Sequence, residues 1–237
     1  MKWMIPLWIA EAVFAALFIV AGHPISTKKG FGFKMVACAL YVVNAAAAFS
    51  LSQKTAFGVT VVLGILGGLL GDIFLAADPL IRHRQNTKLP LTFILLGGIF
   101  FLGGHIAYIV ASLRLLLDAN AFSFLPFAGI WGGVLLIMAM LFKLTNIHAG
   151  KYTFPVALYA VGLGCMFSLG MCAAIFAAQG MLRYLLFAAP VLFVLSDATL
   201  AMKTADKTRF GSLGFRTLCL TSYFLAQMLF GTAIFLQ

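Results

Sequence analysis

The sequence predicts an all-α, polytopic integral membrane bundle of about eight transmembrane helices. Two observations carry that reading. Hydrophobic residues make up 63% of the 237-residue chain and charged residues only 9%. The apolar residues also fall into long runs, divided by short breaks rich in Lys, Pro, Gly and Asn. Soluble domains average about 25% charged residues. A water-soluble chain with so few charges could not cover its surface, so lipid must be part of the solvent.

A spanning helix needs roughly 20 mostly apolar residues. Taken in order, the runs give spans over residues 3–22, 33–51, 56–77, 91–112, 122–142, 154–178, 182–202 and 214–236. The connections are short and leave no room for a soluble domain, so residues 1–237 read as one transmembrane domain. The first run, behind Lys2, is longer than the usual 7–15-residue signal-peptide core and reads as a span.

Charge sets the expected direction. The net charge of +10 comes from residues scattered in the breaks, not from a basic tract, so it points to membrane anchoring and not to nucleic acid. The N-terminus and every second loop carry Lys2, Lys54, Arg114 and Arg183. The opposite side carries Lys28, Lys29, Lys34, Arg82, Arg84, Lys88, Lys143, Lys151, Lys203, Lys207, Arg209 and Arg216. The split is 4 against 12 of the 16 Lys and Arg residues. The richer side belongs in the cytoplasm, which leaves both termini extracytoplasmic. A cleaved signal peptide would push Lys28 and Lys29 outward instead. A bacterial inner membrane and a eukaryotic internal membrane both satisfy the pattern; small size favours the bacterial one.

Spans three and seven share an echo. Gly71-Asp72-Ile73-Phe74-Leu75-Ala76 and Ser196-Asp197-Ala198-Thr199-Leu200-Ala201 both read small-Asp-x-x-Leu-Ala, four helices apart and in the same direction. Two parallel four-helix halves would produce it. So would chance.

Ionisable residues inside the membrane are costly and point to function. Asp72 and Asp197 each lie five or six residues from the cytoplasmic end of their span, roughly 8–9 Å inside at 1.5 Å per residue. Two carboxylates at matching depth can face one cavity and divide acid and base work. The alternative is an Asp paired with a buried Lys or Tyr to lock helices. Lys34 is placed to hold a lipid phosphate or an Asp, or to snorkel as an anchor. Tyr223 and Gln227 share a face of span eight, and His105 and Tyr108 share one of span four. These four can serve a site or simply tie helices together. His105 counts about 10 Å deeper than the Asp pair. Glu11 sits mid-span facing water or a partner. Asp78, Asp118 and Asp206 fall in loops, as do His23, His83 and His148, so no intramembrane histidine metal site is expected. Gly64, Gly67, Gly68 and Gly71 suit close helix packing. Cys38, Cys165, Cys172 and Cys219 lie in apolar runs without metal or redox spacing and read as small buried residues. No G-x-S-x-G, P-loop or dinucleotide motif is present.

Five islands in order, Phe33-Lys34, Leu69-Leu70-Gly71-Asp72, Phe100-Phe101-Leu102 with His105 and Tyr108, Phe193 with Ser196-Asp197, and Tyr223 with Ala226-Gln227, resemble the YhhN-like lysoplasmalogenase family of eight-helix membrane proteins. The resemblance runs from about residue 33 to residue 230. Met35 stands where the family usually has Pro, and Gly103-Gly104 precede His105 where it more often has Ser or one small residue. The resemblance implies cofactor-free hydrolysis of the vinyl ether bond of a lysophospholipid, the lysoplasmalogen, within the lipid bilayer. Asp72 and Asp197 would then be the catalytic pair. Lys34, His105, Tyr108, Tyr223 and Gln227 would line the substrate. A proton-coupled transporter or lipid-handling protein using the same carboxylates is the competing expectation. Oligomeric state and headgroup preference stay open.

Overall fold

A computed structural model describes residues 4–21, 27–53, 55–85, 92–145 and 150–237. Among these residues the chain is helical, with no strand. The helices are α1 (Met4–Ala21), α2 (Lys28–Leu51), α3 (Ala56–Gln85), α4 (Thr92–Asp118), α5 (Phe124–Thr145), α6 (Thr153–Cys172), α7 (Gly180–Ala205), the short α8 (Lys207–Phe210) and α9 (Leu213–Phe235). Seven are long and apolar enough to cross a membrane; the apolar stretch of α1, Ile5–Val20, is shorter. With α1 they correspond to the eight expected spans. Lys2, His23, Lys54, Lys88 and His148 lie outside the described residues.

Several ends differ from expectation. α2 starts five residues early because Thr27 caps it, its hydroxyl accepting the Gly30 N–H at 3.0 Å. Lys28 and Lys29 therefore occupy its first turn rather than a loop. α3 runs through Pro79 to Gln85, so Asp78, Arg82, His83 and Arg84 belong to a helix and not to a loop. A proline removes one helical hydrogen bond, which suggested a stop at residue 77, but a long helix tolerates the loss. Asp118 is the last residue of α4. Asp206 caps α8, its carboxylate accepting from the Thr208 hydroxyl at 2.6 Å and from the Thr208 and Arg209 backbone N–H groups. These bonds, led by the Thr208 hydroxyl, hold its pKa below the ordinary aspartate value.

The helices pair in a repeating pattern. α1 packs on α2 as α5 packs on α6, α2 on α3 as α6 on α7, and α3 on α4 as α7 on α9. Across the halves, α2 meets α9 as α6 meets α4. Moving every span forward by four reproduces each of these pairs, which is what two parallel four-helix halves require. α9 is the most enclosed span and α5 the most peripheral. The residues explain why: α9 buries small and polar groups such as Cys219, Ser222, Ala226 and Gly231, whereas α5 buries only Val134 and Met138. Large apolar side chains such as Ile99, Leu136, Ile137 and Phe154 point outward, as a lipid-facing surface demands.

α3 and α4 approach closely because glycines meet glycines. A Cβ on Gly67 would lie 2.9 Å from the Cα of Gly104, and one on Gly104 would lie 2.9 Å from the Gly64 carbonyl oxygen. Both obstacles are backbone, which cannot swing aside. Gly67→Ala should therefore destabilise the protein by about 1–3 kcal/mol, the usual cost of overpacking. Gly98→Ala, where a Cβ meets nothing within 4 Å, should be neutral or stabilising by up to about 1 kcal/mol. Thermal unfolding in one detergent compares the two, and equal midpoints would contradict this account of the contact.

Candidate functional site

The glycines of α3 also make room for polar side chains. A Cβ at Gly68 would land on the Gln227 amide, one at Gly64 on the Tyr108 ring, and one at Gly71 on the Phe101 ring. The site is thus seated against bare helix backbone, and Asp72 follows directly after the last of these glycines.

Asp72 is buried and fully engaged. The Lys34 ammonium lies 2.8 Å from its Oδ1 and donates to its backbone carbonyl at 3.3 Å. Tyr41 donates to Oδ2 at 3.0 Å, and the Cys38 thiol donates to the same oxygen at 3.3 Å. Lys34, Cys38 and Tyr41 are spaced i, i+4, i+7, so one stripe of α2 supplies all three partners. Lys34 is only 6% exposed, which excludes the snorkelling anchor. Cys38, expected to be a plain packing residue, is a donor to the carboxylate. Tyr41 carried no sequence signal except its place on the Lys34 stripe.

The network continues into α9 and α4. The Tyr41 and Tyr223 hydroxyls are 3.5 Å apart, Gln227 donates to the Tyr223 hydroxyl at 3.0 Å, and Tyr108 donates to the Gln227 carbonyl at 2.6 Å. Four of the expected site residues, Lys34, Tyr108, Tyr223 and Gln227, are thereby connected to Asp72.

Asp197 stands in a second network. Tyr159 donates to its Oδ2 at 2.7 Å, and His105 Nε2 lies 3.3 Å from that oxygen and 2.9 Å from the Tyr159 hydroxyl. Among the described residues no hydrogen bond joins the two carboxylates. The expected depth gap between His105 and Asp197 does not keep them apart. Residue counting assumes upright helices that start in one plane, whereas spanning helices tilt by roughly 20° on average and side chains reach between levels.

Phe193 separates and links the two networks. Its ring is edge-on to His105 at 5.0 Å and to Tyr223 at 5.6 Å, and it is tilted against Tyr108 at 6.0 Å. His105 and Tyr108 thus share a helix face and this ring while serving different carboxylates.

The two networks obey the repeat. Tyr41 on α2 serves Asp72 on α3, and Tyr159 on α6 serves Asp197 on α7. The third helix is α9 in one case, through Tyr223, and α4 in the other, through His105. Tyr159 was not expected, and the Asp echo does not point to it, because Tyr41 lies 31 residues before Asp72 whereas Tyr159 lies 38 before Asp197.

Glu11 is fully buried on α1, and neither carboxylate oxygen has a hydrogen-bond partner. It joins neither network.

The sequence model of the YhhN family matches residues 30–234, a range that takes in both networks and leaves Glu11 outside. No curated protein and no solved structure matches the chain.

Proposed function

Since the chain belongs to the YhhN family, we propose that it is a membrane hydrolase that cleaves the vinyl ether bond of lysoplasmalogens. The products are a fatty aldehyde and glycerophosphoethanolamine or glycerophosphocholine. The observation that carries the reading is the unequal setting of the two buried aspartates. Asp72 has a lysine partner and two further donors. Asp197 has a histidine and a tyrosine.

That inequality suits the chemistry. A vinyl ether is cleaved by protonating its β-carbon, which leaves an oxocarbenium ion for water to attack. Glycoside hydrolysis passes through a related cation with one acid and one anion. An ion-paired carboxylate with hydrogen bonds from neighbours is acceptor-only, so Asp72 is the standing anion that favours the cation. The Asp197 cluster holds the proton that moves. Lys34 spends two of its three N–H groups on Asp72, and the third can meet a lipid phosphate. Tyr108, Tyr223 and Gln227 shape and satisfy the interior where the ether lies.

The test is aldehyde release from lysoplasmalogen by the purified protein in lipid nanodiscs. No aldehyde from well-folded protein overturns the reading. The continuous series from Asp72 through Tyr41, Tyr223 and Gln227 to Tyr108 also suits a proton relay. Proton uptake by proteoliposomes without aldehyde release would favour the transporter.

The 4-against-12 charge split supports a cytoplasmic Lys- and Arg-rich face and extracytoplasmic termini, and the small size of the chain favours a bacterial inner membrane. Alkaline phosphatase fused after Gln237 should then be active in bacteria. An inactive fusion, with a fluorescent cytoplasmic reporter bright at the same place, would reverse the orientation.

A further inference from the structure

His105 is 1% exposed and held on one side only. Its Nε2 faces the Tyr159 hydroxyl and Asp197 Oδ2. A carboxylate only accepts, and Tyr159 already commits its single proton to that carboxylate at 2.7 Å. The proton that satisfies the imidazole contacts therefore sits on Nε2. The other ring nitrogen, Nδ1, is buried and has no hydrogen-bond partner. In the neutral ring it is a bare lone pair; in the imidazolium it is an unmet N–H. Either state is costly in an interior unless a partner arrives.

The ring itself cannot easily turn to relieve this. Tyr159 and Phe193 stand edge-on to it at 5.4 and 5.0 Å. The titratable groups that face it are Asp197 from α7 and Tyr159 from α6. α3 turns Gly64 and Gly67 toward α4, and the π-helical turn Ala173–Ala177, which also packs on α4, contains only apolar residues.

We propose that His105 Nδ1 is the atom that gives and takes the proton, and that Asp197 and Tyr159 are positioning residues that keep Nε2 protonated. A carboxylate fixing one imidazole nitrogen so that the other does proton transfer is an established division of labour. This assignment rests on the hydrolase reading above. The imidazolium Nδ1–H donates to the β-carbon; the C=C π pair forms that C–H bond, and an ether oxygen lone pair closes the oxocarbenium ion. Water adds to the carbon bonded to the ether oxygen, and Nδ1 takes the proton that water sheds. Nδ1 then gives its proton to the glycerol oxygen as the bond from carbon to that oxygen breaks, the hydroxyl lone pair closes the carbonyl, and the hydroxyl proton passes to Nδ1. One water is consumed, and the imidazolium is restored.

The experiment compares wild type with His105→Gln on 1-alkenyl-lysophosphatidylethanolamine across pH, measuring aldehyde. The Gln amide reaches toward Asp197 in place of Nε2 and leaves nothing at Nδ1. Its kcat should fall by about 100-fold or more, with KM little changed and the limb of the pH profile due to the imidazole lost. Wild type that releases no aldehyde overturns the hydrolase reading and this inference together. Active wild type with a His105→Gln variant of near-normal kcat and an unchanged pH profile overturns this inference alone. Should the variant fail to fold, ¹⁵N-histidine spectra of the intact protein decide. Saturation with a 1-O-alkyl lysophospholipid, which lacks the double bond, should shift the Nδ1 resonance of His105, and an unmoved resonance overturns the proposal.

Discussion

Replacing Lys34 with Met should destabilise the protein by about 3–5 kcal/mol, the cost of stranding one charge of a buried pair. Lys34 and Asp72 have side chains 7% and 5% exposed and lie 2.8 Å apart. With the ammonium gone, the Tyr41 and Cys38 donors remain for the carboxylate, but nothing balances its charge. Asp72→Leu strands the ammonium instead and should lose a comparable amount. Lys34→Met combined with Asp72→Leu removes both charges and should regain most of the loss, because a buried ion pair and a packed apolar pair of similar volume are often close in stability. Unfolding in mild detergent for the four proteins makes a double-mutant cycle. Simple additivity of the two single losses would show that the pair does not lock α2 to α3.

Asp197→Asn separates chemistry from stability. The Asn carbonyl can still accept from Tyr159, and its amide carries no charge to strand, so the fold should survive with a small loss. Aldehyde release should nonetheless fall by about 10²–10⁴-fold, the range a positioned acid or base contributes, because a neutral amide no longer stabilises the imidazolium of His105. Asp72→Asn should lose activity too, but together with stability. The two aspartates therefore differ in what they hold together, although losing either costs activity. Near-wild-type turnover in Asp197→Asn would remove the second network from the mechanism.

The bundle itself was legible because length and apolarity are all a spanning helix needs, and eight runs of about the right length are present. The end of α3 was not, because Asp78-Pro79 reads as a stop although the helix passes through it. Lys34 was legible as a buried or snorkelling cation, but charge cannot say whether its partner is a phosphate or an aspartate. Burial and the 2.8 Å contact with Asp72 answer that. Cys38, Tyr41 and Tyr159 were illegible singly, since a Cys or Tyr in an apolar run is ordinary. Cys38 and Tyr41 gain meaning only from the Lys34 stripe on α2, and Tyr159 only from its contact with Asp197. His105 was misplaced in depth because counting along an upright helix ignores tilt and side-chain reach.

Hydrolysis by β-carbon protonation leaves an isotopic record in its product. The most direct measurement is to incubate the purified protein with lysoplasmalogen in D₂O, trap the aldehyde at once as an oxime and weigh it by mass spectrometry. The account predicts an aldehyde with a single deuterium on the carbon next to the carbonyl, the former vinyl β-carbon. Aldehyde without that deuterium, or no aldehyde from folded protein, would contradict it.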